Sequence, residues 1–207
     1  MKYLSILTLA PLVGALVVAV VPRSKPELAK RLALIWSIVV LAVGVAAWVA
    51  YKPNGPRMQL QESYTWIPAW GAKFSFAVDG IALVMIALIA LLVPLVILAS
   101  WHDAEKSKRS VPAYFALLLA LEGTMIGTFT SADVLLFYLF FEVMLVPMYF
   151  IIGSFGSDVP AKQRQYAAVK FFLYSLVGGL FMLAAVIGLW VLGDHTFDWQ
   201  QIGRAHV

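Results

Sequence analysis

The sequence predicts an all-α integral membrane protein of about six transmembrane helices. Three observations predict it: 62% of the residues are hydrophobic against 13% charged, the mean hydropathy is +0.89, and long apolar runs recur along all 207 residues. A soluble domain needs a polar shell that this composition cannot supply, so the bilayer is the solvent that fits. Seven Trp, eight Tyr and thirteen Phe suit a chain that crosses two lipid interfaces, where amphipathic rings anchor it.

A helix crossing a hydrocarbon core of about 30 Å needs about 20 residues. Runs of that order fall at 3–21, 31–51, 79–101, 112–130, 132–154 and 166–193. The first follows Met1-Lys2 directly and imitates a signal peptide, but Pro11 inside it and a second span close behind favour a retained helix. A basic turn, Pro22-Arg23-Ser24-Lys25-Pro26, leads to the second span. A long connection from Lys52 to Val78 follows, in which Trp66, Pro68 and Trp70 are expected to lie along the headgroups as an interfacial anchor. The remaining connections are a charged turn from His102 to Pro112, a tight Thr130-Ser131 turn and a loop from Gly156 to Gln165.

The formal charge of +4 does not point to nucleic acid, because the basic residues cluster in these short connections. The first, third and fifth loops carry nine: Arg23, Lys25, Lys30, Arg31, Lys106, Lys108, Arg109, Lys162 and Arg164. The amino terminus and second loop carry four, Lys2, Lys52, Arg57 and Lys73, and the fourth loop carries none. The positive-inside rule then places the odd loops in the cytoplasm and the amino terminus outside. Loop 52–78 is extracytoplasmic on this reading.

Cysteine is absent, which removes disulfides, thiolate zinc sites, cysteine nucleophiles and cysteine-ligated iron–sulfur clusters together. His102, His195 and His206 stand apart from one another, with no metal-ligand spacing and no partnered nucleophile. No Gly-rich phosphate loop, dinucleotide fingerprint or Ser-His-Asp arrangement is present. No metal, bound cofactor or redox active site is expected in this chain.

The informative residues are ionisable groups at membrane depth. A charged side chain near the bilayer centre costs about 3 kcal/mol or more, so a span retains one only with a compensating role. Glu122 lies about ten residues into the fourth span and Glu142 about ten into the fifth, each ~15 Å deep at 1.5 Å per residue. The two spans run antiparallel across the Thr130-Ser131 turn, so both carboxylates fall near one midplane height. Lys170 stands a few residues inside the cytoplasmic end of the sixth span. A carboxylate whose protonation a neighbouring charge can move is what a proton relay needs, and Glu142 is the strongest candidate for proton transfer, with Glu122 and Lys170 beside it.

Structural readings compete with each. Glu142 could be permanently paired in a helix bundle, Glu122 could hydrogen-bond across a close contact at Gly123, and Lys170 could snorkel to the headgroups. Asp133, in the first turn of the fifth span, is read as a cap. Pro147, five residues beyond Glu142, removes a backbone donor and is expected to break the helix beside the site. Gly123, Gly127, Gly178 and Gly179 are read as sites of close helix packing.

Two strings, FYLFFEVMLVPMYF from Phe137 to Phe150 and AVKFFLYSLVGGLFML from Ala168 to Leu183, closely resemble the M-type antiporter-like subunit of bacterial respiratory complex I, the proton-translocating NADH:quinone oxidoreductase. ESYTWIPAWGAKFSFAVDGIAL, Glu62 to Leu83, supports the same resemblance, which runs to about Gln201. It implies an arm subunit of about fourteen helices with two inverted repeats, each forming a half-channel, in the bacterial inner membrane. NADH, FMN, iron–sulfur clusters and quinone belong to other subunits of such a complex. Carried over by position, Glu142 matches the family's carboxylate on the fifth helix, Glu122 the acid on the fourth and Lys170 the lysine of the sixth-helix KFF motif. Residues 1–110 are then an amino-terminal three-helix segment and 111–201 the start of the first antiporter-like repeat; the family's second repeat has no counterpart here. Ile202-Gly203-Arg204-Ala205-His206-Val207 is what one frame of a common sequencing adapter encodes (ATC GGA AGA GCA CAC GTC), so 202–207 are expected to be read-through and to carry no function. Two other functional readings stay open, a subunit of a multi-subunit sodium/proton antiporter and a noncatalytic membrane scaffold.

Overall fold

The computed structural model describes residues 2–102, 110–156, 160–193 and 195–204. Lys106, Lys108 and Arg109, which entered the charge count, lie outside the described residues, as do Ala205, His206 and Val207. The order of elements is α1 (Tyr3–Ala19), α2 (Pro26–Ala50), β1 (Gln59–Ile67), β2 (Ala72–Val78), α3 (Gly80–Ala99), α4 (Val111–Thr130), α5 (Val134–Phe155), α6 (Ala161–Leu192) and a short α7 (Trp199–Arg204). Helices α2 to α6 are long and apolar enough to cross a membrane. Helix α1 is equally apolar but has 17 residues, ~26 Å of helix.

Local chemistry explains the helix starts. Asp79 caps α3 by accepting from Ala82 N at 2.8 Å, and Asp133 caps α5 by accepting from Leu136 N at 3.0 Å. Pro26 and Pro112 stand in first turns, where a missing N–H costs nothing. Helix α1 has no such cap of its own; Glu62 of β1 supplies one across space, its carboxylate accepting from Leu4 N at 2.9 Å, Ser5 N at 3.1 Å and the Ser5 hydroxyl. A carboxylate there satisfies orphan donors and complements the positive end of the helix dipole.

The connection expected to be an interfacial loop is instead an antiparallel β-hairpin, with Tyr64 opposite Phe74 and Ser63 opposite Ser75. Pairing satisfies backbone groups that an open loop at the headgroups would leave to water. Its turn runs through Pro68–Trp70 and closes on Gly71, whose φ of +68° is left-handed. The hairpin seats on the α4–α5 turn: Ala132 N donates to Ser75 O at 2.8 Å, and Lys73 N donates to the second oxygen of Asp133 at 3.0 Å. The 197–199 segment joins from the other side, with Val134 N donating to Phe197 O at 2.9 Å and Trp199 N to Ala132 O at 3.1 Å.

Two cores stack along the bundle. Nearer the hairpin, Leu4, Leu7, Val40, Phe76, Ile86, Ile126 and Phe140 pack together; toward the other end, Val18, Ala33, Ile97, Phe115 and Leu119 do. Helices α1 to α4 thus form a close bundle with the hairpin across one end. Its contacts depend on small residues: a Cβ on Gly123 would lie 2.7 Å from Leu12 on α1, and one on Gly127 would lie 2.5 Å from the Phe140 ring on α5. Lys30, counted above as a loop cation, is in α2, fully buried, paired with Glu27 at 2.8 Å and 5.5 Å from the Trp101 ring.

Candidate functional site

The α4–α5 turn sets the geometry of the two glutamates. Glu122 lies eight residues before Thr130, the last of α4, and Glu142 lies eight beyond Val134, the first of α5. Both therefore sit ~12 Å from the hairpin end of their helices, at the shared depth that the sequence suggested.

They do not share a pocket. Glu122 is on the helical stripe of Leu119 and Ile126, which face the two cores, and it is fully buried, with no hydrogen bond to either oxygen among the described residues. On α5, Leu136 and Phe140 turn toward the core, whereas Glu142 shares a stripe with Tyr138, Leu145 and Tyr149. Tyr149 meets Phe172 of α6 at 5.6 Å between ring centroids, so this stripe faces α6. The Glu142 carboxyl lies against Gly179 of α6, half-buried, with Oε1 enclosed and without a hydrogen-bond partner.

Lys170 is not brought to either glutamate. It is exposed on α6 with its ammonium 5.9 Å from the Tyr174 ring, and it lies nine residues from Gly179, ~14 Å along the axis. Pro147 does not end the helix: α5 runs unbroken from Val134 to Phe155 with Pro147 buried inside it, as α1 contains Pro11 and α3 contains Pro94. The backbone keeps its helical path through Pro147, which has no N–H to donate to the preceding turn. Of the adjacent pair Gly178 and Gly179, only Gly179 packs against a neighbour; Gly178 faces open space.

Outside the spans, Asp133 is a buried acid. Burial pushes its carboxyl above the ordinary 3.8 and Asp198 adds to the rise, while N–H donors from Lys73, Leu136 and Leu135 oppose it. A cavity of about 970 Å³ opens beside it, bounded by Arg57 and Gln61 near the hairpin and by Phe137 and Met182 deeper between α5 and α6. Among the described residues, no three His, Asp or Glu side chains stand together as metal ligands. Sequence reasoning missed Glu62 and the specific contact at Gly179. The β-rich runs Tyr64–Ile67 and Phe74–Phe76, split by Pro68 and Gly71, were the available signal for the hairpin that carries Glu62.

A bundle of apolar helices with carboxyls buried along their length defines the class, an all-α membrane chain. The family described as NADH:quinone oxidoreductase/Mrp antiporter, TM, matches residues 131–205. NADH-quinone oxidoreductase subunit M of Mycobacterium tuberculosis is 40% identical, over 97% of this chain and 41% of that protein. A chain of respiratory complex I from Thermus thermophilus superposes with a TM-score of 0.77 at 25% identity, over 96% of this chain and 38% of that one. A chain of the Mrp complex from Dietzia has the same fold, with a TM-score of 0.77 at 18% identity, over 96% of this chain and 20% of that one. The chain is similar to M-type antiporter-like subunits, and it spans about two fifths of the length of the curated relative it matches.

Proposed function

We propose that this chain forms part of a proton half-channel in the membrane arm of an NADH:quinone oxidoreductase, with Glu142 as the group that accepts and releases the proton. The observation that carries the reading is a carboxyl at mid-span whose enclosed oxygen has no hydrogen-bond partner and which lies in a helix–helix seam against a glycine. A permanent structural carboxylate is held by donors, because an unsatisfied buried acceptor is costly; among the described residues none donates to Glu142 Oε1. Glu122, at the same depth in the bundle, is the second proton-transfer group. Lys170 acts from a distance, by its charge on the far side of the seam.

On this reading the partners are the other membrane-arm subunits and lipid, the amino terminus and hairpin face outward from a bacterial inner membrane, and residues 111–201 begin the first antiporter-like repeat. NADH, FMN, iron–sulfur clusters and quinone are handled by other subunits. The equal fold similarity to an Mrp chain favours a sodium/proton antiporter as the second reading. Neighbouring genes separate the two, dehydrogenase and quinone-site subunits for the first and further antiporter subunits for the second.

The test is Glu142→Gln in the assembled complex. Proton-coupled quinone reduction is expected to fall by about two orders of magnitude, the range for losing a positioned acid–base group, while NADH oxidation by an artificial acceptor is unchanged. Normal coupled turnover in that variant contradicts the reading.

A further inference from the structure

Gly178 and Gly179 are neighbours on α6 and differ in what faces them. A Cβ on Gly178 meets nothing within 4 Å, whereas one on Gly179 overlaps Glu142 Oε1 and lies 2.6 Å from Glu142 Cδ. Gly179 is buried and Gly178 exposed. The atoms in conflict are the tip of a flexible side chain rather than backbone, so an added methyl is relieved by swinging the carboxyl aside while the helices stay in place.

We propose that Gly179 is a positioning residue for Glu142: its missing side chain opens the seat in the α5–α6 seam where the carboxyl rests, and so sets where that carboxyl exchanges its proton. The inference rests on the reading of Glu142 as the proton-carrying group. It follows from packing, since Oε1 has no hydrogen bond to fix it and the shape of the seat is what remains. Proton transfer requires donor and acceptor within hydrogen-bond reach, and misplacement by about 1 Å is worth up to a hundredfold in rate.

The test compares Gly179→Ala with Gly178→Ala in the full chain in lipid bilayers, by infrared spectroscopy, using Glu142→Gln to assign the Glu142 carboxyl band. The band is expected to shift in Gly179→Ala and to stay in place in Gly178→Ala. A band unmoved by Gly179→Ala, or moved equally by both, overturns the proposal. If Gly179→Ala fails to insert, the double variant Glu142→Asp/Gly179→Ala, whose carboxyl is withdrawn by one methylene, is expected to insert as the parent does; failure of the double variant also overturns it. In the assembled complex, Gly179→Ala is expected to lower proton translocation roughly tenfold or more. Full translocation by Gly179→Ala beside an inactive Glu142→Gln overturns the seat and leaves the role of Glu142 intact. Full translocation by Glu142→Gln overturns that role, and the infrared comparison still decides the seat.

Discussion

Helices α4 and α6 are both apolar and long enough to span, yet over their most apolar stretches 56% of α4 is buried against 11% of α6. Helix α4 is ringed by α1, α2, α3 and α5, while α6 packs chiefly along α5. The same kind of sequence is thus used in two ways, and the carboxylates follow the difference. Glu122 is enclosed in the bundle and fully buried. Glu142 lies half-buried in the α5–α6 seam, against Gly179. Equal depth thus comes with unequal surroundings, and on the proposed reading the seam carboxylate is the main proton carrier and the enclosed one the second.

The largest effect that would break this comparison is functional. Glu142→Gln is expected to reduce translocation far more than Glu122→Gln, measured as proton uptake by vesicles containing the assembled complex; the reverse order would exchange the two roles.

Effects on stability come next. Asp133→Ala removes both the α5 cap and the acceptor of Lys73 N, orphaning two donors, and is expected to cost about 2–3 kcal/mol by denaturant unfolding. The same carboxyl has a pH signature. Its folded pKa is raised above 3.8, so the folded state holds the proton longer, and the stability this contributes at low pH is lost as pH rises from 3.8 through the raised value. Asp133→Asn is expected to flatten that slope. Glu122→Leu replaces an unpartnered buried carboxylate with an apolar group of similar volume, and unfolding is expected to show a gain of about 1–3 kcal/mol. Glu62→Ala removes the cap on α1 at a cost of about 1 kcal/mol, with faster hydrogen exchange at Leu4 and Ser5. The smallest effect belongs to Lys170→Gln, whose exposed side chain is expected to change stability by less than about 0.5 kcal/mol.

The helices were legible because a bilayer imposes a length and a composition on every span. The expected runs at 79–101, 112–130 and 132–154 differ from α3, α4 and α5 by two residues or fewer at each end, and the common depth of Glu122 and Glu142 followed from the tight turn alone. What stayed hidden depends on contacts distant in sequence. Glu62 caps a helix more than fifty residues away, so nothing local marks it as a cap. The face on which Lys170 falls depends on how α6 packs, which apolar composition cannot tell for a helix that is hydrophobic all round. Gly178 and Gly179 are chemically identical in sequence, and only the position of α5 separates them.

The most direct measurement of the central claim is a redox-triggered infrared difference spectrum of the assembled complex. A carboxyl signal that changes protonation during turnover is expected in the parent and in Glu27→Gln, and is expected to vanish in Glu142→Gln. A spectrum unchanged by Glu142→Gln would contradict the claim that Glu142 carries the proton.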